Sequence, residues 1–299
     1  MQKALFRNLC RNTSILLYTA TFFMTLCSCN NTETSSADAE ELASLGEIHL
    51  VAREDGSGTR TAFAQLLGFD TASVDGSSYL TASTAEIVES TADVIVAVSA
   101  SESAIGYVSC ASLTDTDDVK VLQVDGYDPE EEKYPLERTF YLTYLGTLDS
   151  LQEDFLRYVT SAGQRIVATS YESVSASSTF LSSQPTGTLS IGGSTSAAPL
   201  LCELAESYME INPNAEITVT ETDSTDGLTG AMAGTYDFGM ASRELASYES
   251  ELLEQTSIAV DKIAVIVSAD NPLESISSEM LCNVYTGAIS SWDGIVTEQ

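Results

Sequence analysis

Three short segments of this chain share one chemical design: Gly56-Ser57-Gly58-Thr59, Gly193-Ser194-Thr195-Ser196 and Asp223-Ser224-Thr225-Asp226-Gly227. Each lies between a stretch that reads as a strand and one that reads as a helix. Glycine at such a junction lets the backbone come close to a ligand. The first N–H groups of a helix have no partner inside it, and the helix dipole favours negative charge there. Serine and threonine hydroxyls add donors of adjustable direction. These parts suit the holding of an oxyanion. Arg53, just ahead of the first segment, adds a charged two-pronged donor. One such loop alone is an ordinary helix cap; three together with an arginine make a candidate site. None is a Walker-type P-loop, because no Gly-Lys-Ser/Thr follows at the required spacing.

The remaining composition narrows the function classes. Lys and Arg total 12 against 44 Asp and Glu, a formal net charge of −32 over 299 residues. Such a chain repels nucleic acid and anionic membrane surfaces, so an anion site needs strong local donors. Six Cys occur without a CxxC pair, beside a single His, which argues against a zinc centre. Cys110, Cys202 and Cys282 read as small buried apolar groups, with a disulfide between two of them the lesser alternative. His49 falls in a strand-like run and cannot serve every serine, so no Ser-His-Asp hydrolase is expected. No catalytic residue, metal ligand or cofactor is assigned. Asp115, Asp117 and Asp118 lack the Gly and Glu of an EF-hand and read as a solvated turn. Asp128 to Glu132 reads as a wet loop, and Tyr285 and Trp292 as packing groups.

The elements that must position these residues follow from pattern. Lys3, Arg7 and Arg11 precede an apolar stretch, Ile15 to Leu26, of signal-peptide length. It ends Leu26-Cys27-Ser28-Cys29, which resembles a bacterial lipobox. Residues 1–28 are therefore expected as a lipoprotein signal, Cys29 as the lipidated residue, and 29–46 as a flexible tether. Ile48 to Ala52, Ala104 to Val108, Val119 to Val124 and Thr139 to Leu145 read as strands. Thr61 to Leu67 reads as a helix stopped by Gly68, and Leu151 to Val159 as one that continues towards Ile166. Val94 to Val98 is either a buried strand or a buried helix segment. Ser173 to Thr188 is a Ser/Thr-rich linker. A second unit follows, with strands at Leu189 to Ile191, Glu216 to Thr220, Tyr236 to Met240 and Ile263 to Val267. Its helices run from Ala197 to Ile211 and from Ser277, a cap, to Tyr285. Alternating strands and helices favour an α/β fold with largely parallel sheets.

These residues resemble the PstS family, the phosphate-binding proteins of the bacterial phosphate ABC importer. Leu189 to Gly294 is similar to the family's N-terminal half through Gly193-Ser194-Thr195-Ser196-Ala197-Ala198-Pro199, Gly239-Met240-Ala241-Ser242-Arg243-Glu244-Leu245 and Tyr285-Thr286-Gly287-Ala288-Ile289-Ser290-Ser291-Trp292. Ile48 to about Tyr171 is similar to its C-terminal half through Arg53-Glu54-Asp55-Gly56-Ser57-Gly58-Thr59-Arg60, Ala104-Ile105-Gly106-Tyr107-Val108, Tyr134-Pro135-Leu136 and Ser161-Ala162-Gly163-Gln164. The halves stand in reversed order, as in a circular permutation bridged by 173–188. A tandem or truncated gene completed by a partner chain is the lesser account.

The resemblance implies a type II periplasmic-binding-protein fold: two α/β lobes, a hinge and a ligand cleft between them. One lobe is expected at 119–268 and the other at 47–118 with 269–299, so that residues 299 and about 46 lie near each other. Thr195, Ser196 and Ser224 would hold phosphate from one lobe, and Ser57, Gly58 and Thr59 from the other, with Arg53 as the charged partner. A departure concerns Arg243, which stands where well-studied members carry an Asp that accepts the proton of phosphate. Arg243 either strengthens anion binding or pairs with Glu244, and Asp223 or Asp226 is left as the substitute acceptor. The implied role is a lipid-anchored receptor on the extracytoplasmic face of the membrane, partnered by inorganic phosphate and an ABC permease. Binding of another oxyanion, sulfate or molybdate, and a surface lipoprotein retaining the fold for adhesion or sensing are the alternatives.

Overall fold

The computed structural model describes residues 36–71, 78, 79, 81–114 and 116–298. The expected signal, Cys29 and Asp115 lie outside the described residues. A nine-stranded sheet carries the molecule. Its strands are β1 (His49–Arg53), β2 (Glu86–Val88), β3 (Ala104–Ser109), β4 (Val119–Val121), β5 (Glu137–Leu145), β6 (Gly187–Ser194), β7 (Ala215–Thr222), β8 (Phe238–Ala241) and β9 (Leu253–Ser268). They run in the order β7-β6-β8-β5-β9-β3-β1-β2, with β4 also on β9. The two ends of the sheet are parallel, as expected. The middle is not: β5 and β9 run antiparallel to their neighbours.

β9 explains that difference. Leu253 to Lys262 pair with β5, and Ile263 to Val267 pair with β3. One strand thus serves two bodies. Ile263, Val265 and Val267 face a core with Leu50, Phe63, Tyr107, Leu122, Leu136 and Trp292. Ala264 and Ile266 face the opposite side of the same strands, with Val51, Val94 and Val98. This period of two with both faces covered is why the run reads as uninterrupted apolar sequence. Phe140, Phe155, Ile191, Leu201, Leu204, Tyr208, Phe238 and Ile258 form the core of the second body. The chain therefore crosses between bodies at 136–140 and at 259–263. The boundaries expected at 118/119 and 268/269 are displaced, because 263–267 pair with β3, 119–121 pair with 266–268, and both segments pack into the cores of the first body.

The helices that matter to the site begin at side-chain caps. Ser57 caps α1 (Gly58–Leu66), Ser90 caps α2 (Thr91–Ser99), and Asp223 caps α5 (Ser224–Ala233). Between them in sequence, α3 (Ser150–Val159) starts with a capping box on Asp149, and α4 (Ala198–Ile211) with Pro199 in its first turn. The Val94 to Val98 run belongs to α2. Val94 and Val98, one turn apart, press on Gly106 so closely that a Cβ there would lie 2.8 and 2.7 Å from them. The helix expected to continue from Leu151 towards Ile166 ends at Val159, and a separate turn covers Gln164–Val167. Ser277 caps the helix Ser278–Thr286, and Tyr285 and Trp292 are buried packing groups. Cys110, Cys202 and Cys282 are free thiols and only partly buried, Cys110 and Cys282 at the margins of cores.

The two ends of the described chain meet. Ile48 N–H donates to the Ser290 carbonyl at 2.9 Å, and Trp292 N–H donates to the Gly46 carbonyl at 2.9 Å. Glu47 and Ser291 form an antiparallel bridge between these bonds. The segment 290–292 thus lies side by side with 46–48, just ahead of β1.

Candidate functional site

Five strand ends aim at one place. β1 and β2 of the first body lead into α1 and α2; β6 and β7 of the second lead into α4 and α5, and β8 leads to Ser242. Ligands of open α/β sheets sit outside the carboxyl ends of such strands. Arg53, Ser57, Thr59, Thr91, Ser194, Ser196, Ser224 and Ser242 are all buried there, Ser196, Ser224 and Ser242 completely. Eight buried polar side chains in one place demand partners.

The partners are each other. Thr59 Oγ1 lies 2.9 Å from Ser196 Oγ, across the two bodies. Thr91 Oγ1 lies 3.2 Å from Ser196 Oγ and 3.4 Å from Thr195 Oγ1. A Cβ on Gly58 would come within 2.2 Å of Ser224 Oγ and 2.5 Å of Ser242 Oγ. Ser242 Oγ in turn meets Ser194 Oγ at 2.9 Å and Ser224 Oγ at 3.4 Å. The Thr225 N–H and hydroxyl both donate to the Gly56 carbonyl at 3.2 Å. The three segments singled out by sequence therefore converge.

The hydrogen-bond directions matter more than the distances. Ser57 Oγ accepts from Arg60 N–H, Ser194 Oγ from Ser196 N–H, and Ser224 Oγ from Ser242 N–H. Thr91 Oγ1 accepts from Arg53 Nη1 at 3.3 Å, and Thr59 Oγ1 from Arg138 Nη1 at 2.7 Å. A hydroxyl has one proton and two lone pairs. With one lone pair of each of these five oxygens filled by an N–H, their protons are left for other acceptors: that of Ser194 goes to Ser242 Oγ, and Thr59 and Thr91 lie within reach of Ser196 Oγ. A cluster of such hydroxyls suits a group rich in acceptor oxygens, which is an oxyanion.

The arginines divide the work. Arg53 Nε and Nη2 donate to the Glu54 carboxylate at 2.7 and 2.8 Å, leaving Nη1 on Thr91. Arg243 does not pair with the Glu244 carboxylate, the second of the sequence alternatives. Its Nη1 and Nη2 grip Glu249 at 2.7 and 2.9 Å, while Nη1 also donates to the Glu244 carbonyl and Nη2 to Thr225 Oγ1. Its carboxylate partner is thus Glu249, and Glu244 offers a carbonyl instead. Asp223 lies with its carboxylate against Gly56. Burial pushes its pKa up, against a pull downward from the Asp226 N–H.

Sequence reasoning missed Thr91, Ser242, Arg138 and Asp261 as members of this cluster. Thr91 follows the cap Ser90, and Ser242 stands in a segment already quoted, so both had a local signal. Arg138 and Asp261 had none, because they sit within strands and meet only through register.

Known proteins resemble this chain over most of its length. A family model described as a PBP superfamily domain matches residues 27–162 and 178–297. The chain is 37% identical over 278 residues to phosphate-binding protein PstS 2 of Streptococcus pneumoniae, covering 90% of this chain and 94% of that one. It is 34% identical over 280 residues to PstS 2 of Streptococcus agalactiae, covering 90% and 92%. Phosphate-binding protein PstS of Bacillus subtilis matches at 32% identity over 109 residues, 36% of either chain. Among solved structures, a phosphate-binding protein of a phosphate ABC transporter from S. pneumoniae superposes with a TM-score of 0.67 at 37% identity, over 84% of this chain and 100% of that one. With these matches spanning nearly the whole described chain, the protein belongs to the PstS family of phosphate-binding proteins and has the periplasmic-binding-protein fold.

Proposed function

We propose that this chain is the extracytoplasmic receptor of an ABC importer, capturing inorganic phosphate between its two bodies and handing it to a membrane permease. The observation that carries this reading is the meeting of Thr59 and Thr91, from the first body, with Ser196, from the second, at 2.9 and 3.2 Å. The names of the streptococcal relatives and of the solved structure point the same way. Phosphate accepts from Ser57, Gly58 and Thr59 on one side, from Thr195, Ser196 and Ser224 on the other, and from Arg53. Arg243, buried and paired with Glu249, supports the start of α5 through Thr225 beside the anion. No bond is made or broken: the hydroxyls are polarised to donate, and recognition is all such a set performs.

The anchor is Cys29, acylated after removal of residues 1–28; the tether expected at 29–46 is shortened to the residues ahead of the helix Ser36–Ser44, because Leu42 of that helix is buried in the core of the first body. Incorporation of labelled palmitate, lost in Cys29→Ser, tests it. The reversed order of the halves is a circular permutation. It is supported by the joining of 46–48 to 290–292. It also accounts for the one-third coverage of the B. subtilis relative, since an alignment running in one direction takes in only one of two exchanged halves.

Competition titration of the purified protein with phosphate, sulfate and molybdate tests the ligand. Phosphate is expected to bind and the other two to compete weakly. Tighter sulfate binding would transfer the assignment to another oxyanion. No heat and no melting shift at millimolar phosphate would favour an adhesive or sensory lipoprotein.

A further inference from the structure

Arg138 stands where the chain passes from one body to the other. It is the cross-strand partner of Asp261, and their side chains are only 2% and 1% exposed. Nε and Nη2 both donate to Asp261 Oδ2, at 2.9 and 2.8 Å. Ser109 Oγ donates to the other carboxylate oxygen at 2.8 Å, and the Phe140 ring lies 5.1 Å from the guanidinium carbon. The fork is therefore fixed before any ligand arrives. Its remaining nitrogen, Nη1, donates to Thr59 Oγ1 at 2.7 Å, in the first body, and points towards the Ser242 carbonyl of the second. Burial draws the Arg138 pKa below its ordinary value and pushes that of Asp261 above its own. A pair desolvated to this degree is a poor source of stability, so its retention calls for another role.

We propose that Arg138, held by Asp261 at the crossing, is a positioning residue of the anion site. It fills one acceptor lone pair of Thr59, which turns the threonine proton away from Arg138 and towards the anion side. This links the ligand's grip on Thr59 to the strands that join the bodies. The inference rests on the phosphate-binding reading of the site and adds to it a residue that touches no ligand.

The experiment is a titration of inorganic phosphate into the full chain and into R138Q, T59V, R138Q/T59V and R138K, with thermal unfolding of each ligand-free protein. R138Q and T59V are each expected to weaken binding by about tenfold. The double variant is expected to be no weaker than T59V alone, since Arg138 acts through that hydroxyl. R138K, which keeps a charged N–H donor, is expected to recover most of the affinity. Where R138Q does not fold, R138Q/D261N leaves no unpaired carboxylate and takes its place in the cycle. Losses that multiply in the double variant, or unchanged affinity in R138Q beside a binding wild type, overturn the inference alone. A wild type that fails to bind phosphate overturns this inference and the proposed function together.

Discussion

Gly58 and Ser224 belong to different bodies, yet a single methyl group on Gly58 would lie 2.2 Å from the Ser224 hydroxyl oxygen. That oxygen is itself held by the Ser242 N–H at 3.1 Å and cannot simply turn away. Gly58 opens α1 in ordinary helical conformation, so alanine suits its own backbone. Gly58→Ala is expected to leave the ligand-free melting temperature unchanged or slightly raised. Phosphate affinity is expected to fall by about tenfold or more, because overpacking of this kind costs about 1–3 kcal/mol and falls only on the joined arrangement. Calorimetric titration together with thermal unfolding checks both halves; full affinity would mean that the two loops do not meet when the ligand is bound.

Gly227→Ala makes a contrast within one body. Its Cβ would lie 2.6 Å from the Gly192 carbonyl oxygen and 2.6 Å from Gly193 Cα, both main-chain atoms of β6. Neither can move without disturbing the sheet. The expected outcome is a loss of about 1–3 kcal/mol in folding stability, read as a melting midpoint several degrees lower. A Gly227→Ala protein as stable as wild type would mean that α5 can draw away from β6 without cost.

The contrast between these glycines shows what the sequence could and could not convey. Ser57 to Thr59, Thr195, Ser196 and Ser224 were legible because each sits at a strand-to-helix junction, where residue type reports local geometry. The helix at 91–99 was ambiguous from its valines alone, and Ser90 as a cap settles it. Leu253 to Lys262 hid its strand, because the register shift between Ser257 and Ala259 breaks the alternation that marks one. Arg138 and Asp261 were illegible for a deeper reason. They are separated by 123 positions, and only the pairing of β5 with β9 brings them together. The lobe boundaries were misplaced on the same account, since a strand shared by two cores shows no break in composition.

Arg53 is 2% exposed and divides its donors between Glu54 and Thr91. Removing it would leave the Glu54 carboxylate without its guanidinium partner. Arg53→Ala is expected to weaken phosphate binding by at least about 2 kcal/mol, or roughly thirtyfold, mainly through faster dissociation. Arg53→Lys keeps the charge but cannot reach Glu54 and Thr91 at once, so an intermediate loss is expected. Stopped-flow measurement of phosphate release separates the two. Unaltered release in Arg53→Ala would remove this arginine from the site.

Glu249 supplies the pH dependence. Burial alone would raise its pKa, but donors from Arg243, the Ala246 N–H and the Tyr248 hydroxyl outweigh that and hold it below its ordinary 4.5. The folded protein therefore takes up this proton less readily than the unfolded chain. Its contribution to stability is complete above the ordinary value and is lost as pH falls below about 4.5 through the lower folded value. Acidification also relieves the repulsion of a −32 chain, which opposes this loss. The difference between wild type and Glu249→Gln isolates the one group from the whole. Glu249→Gln, uncharged at every pH, is expected to be less stable by about 1–3 kcal/mol at pH 7, and the gap is expected to narrow from about pH 4.5 downward. Urea unfolding of both proteins between pH 7 and 3 measures it, and two curves that stay parallel would show that the Arg243–Glu249 pair contributes nothing that titrates.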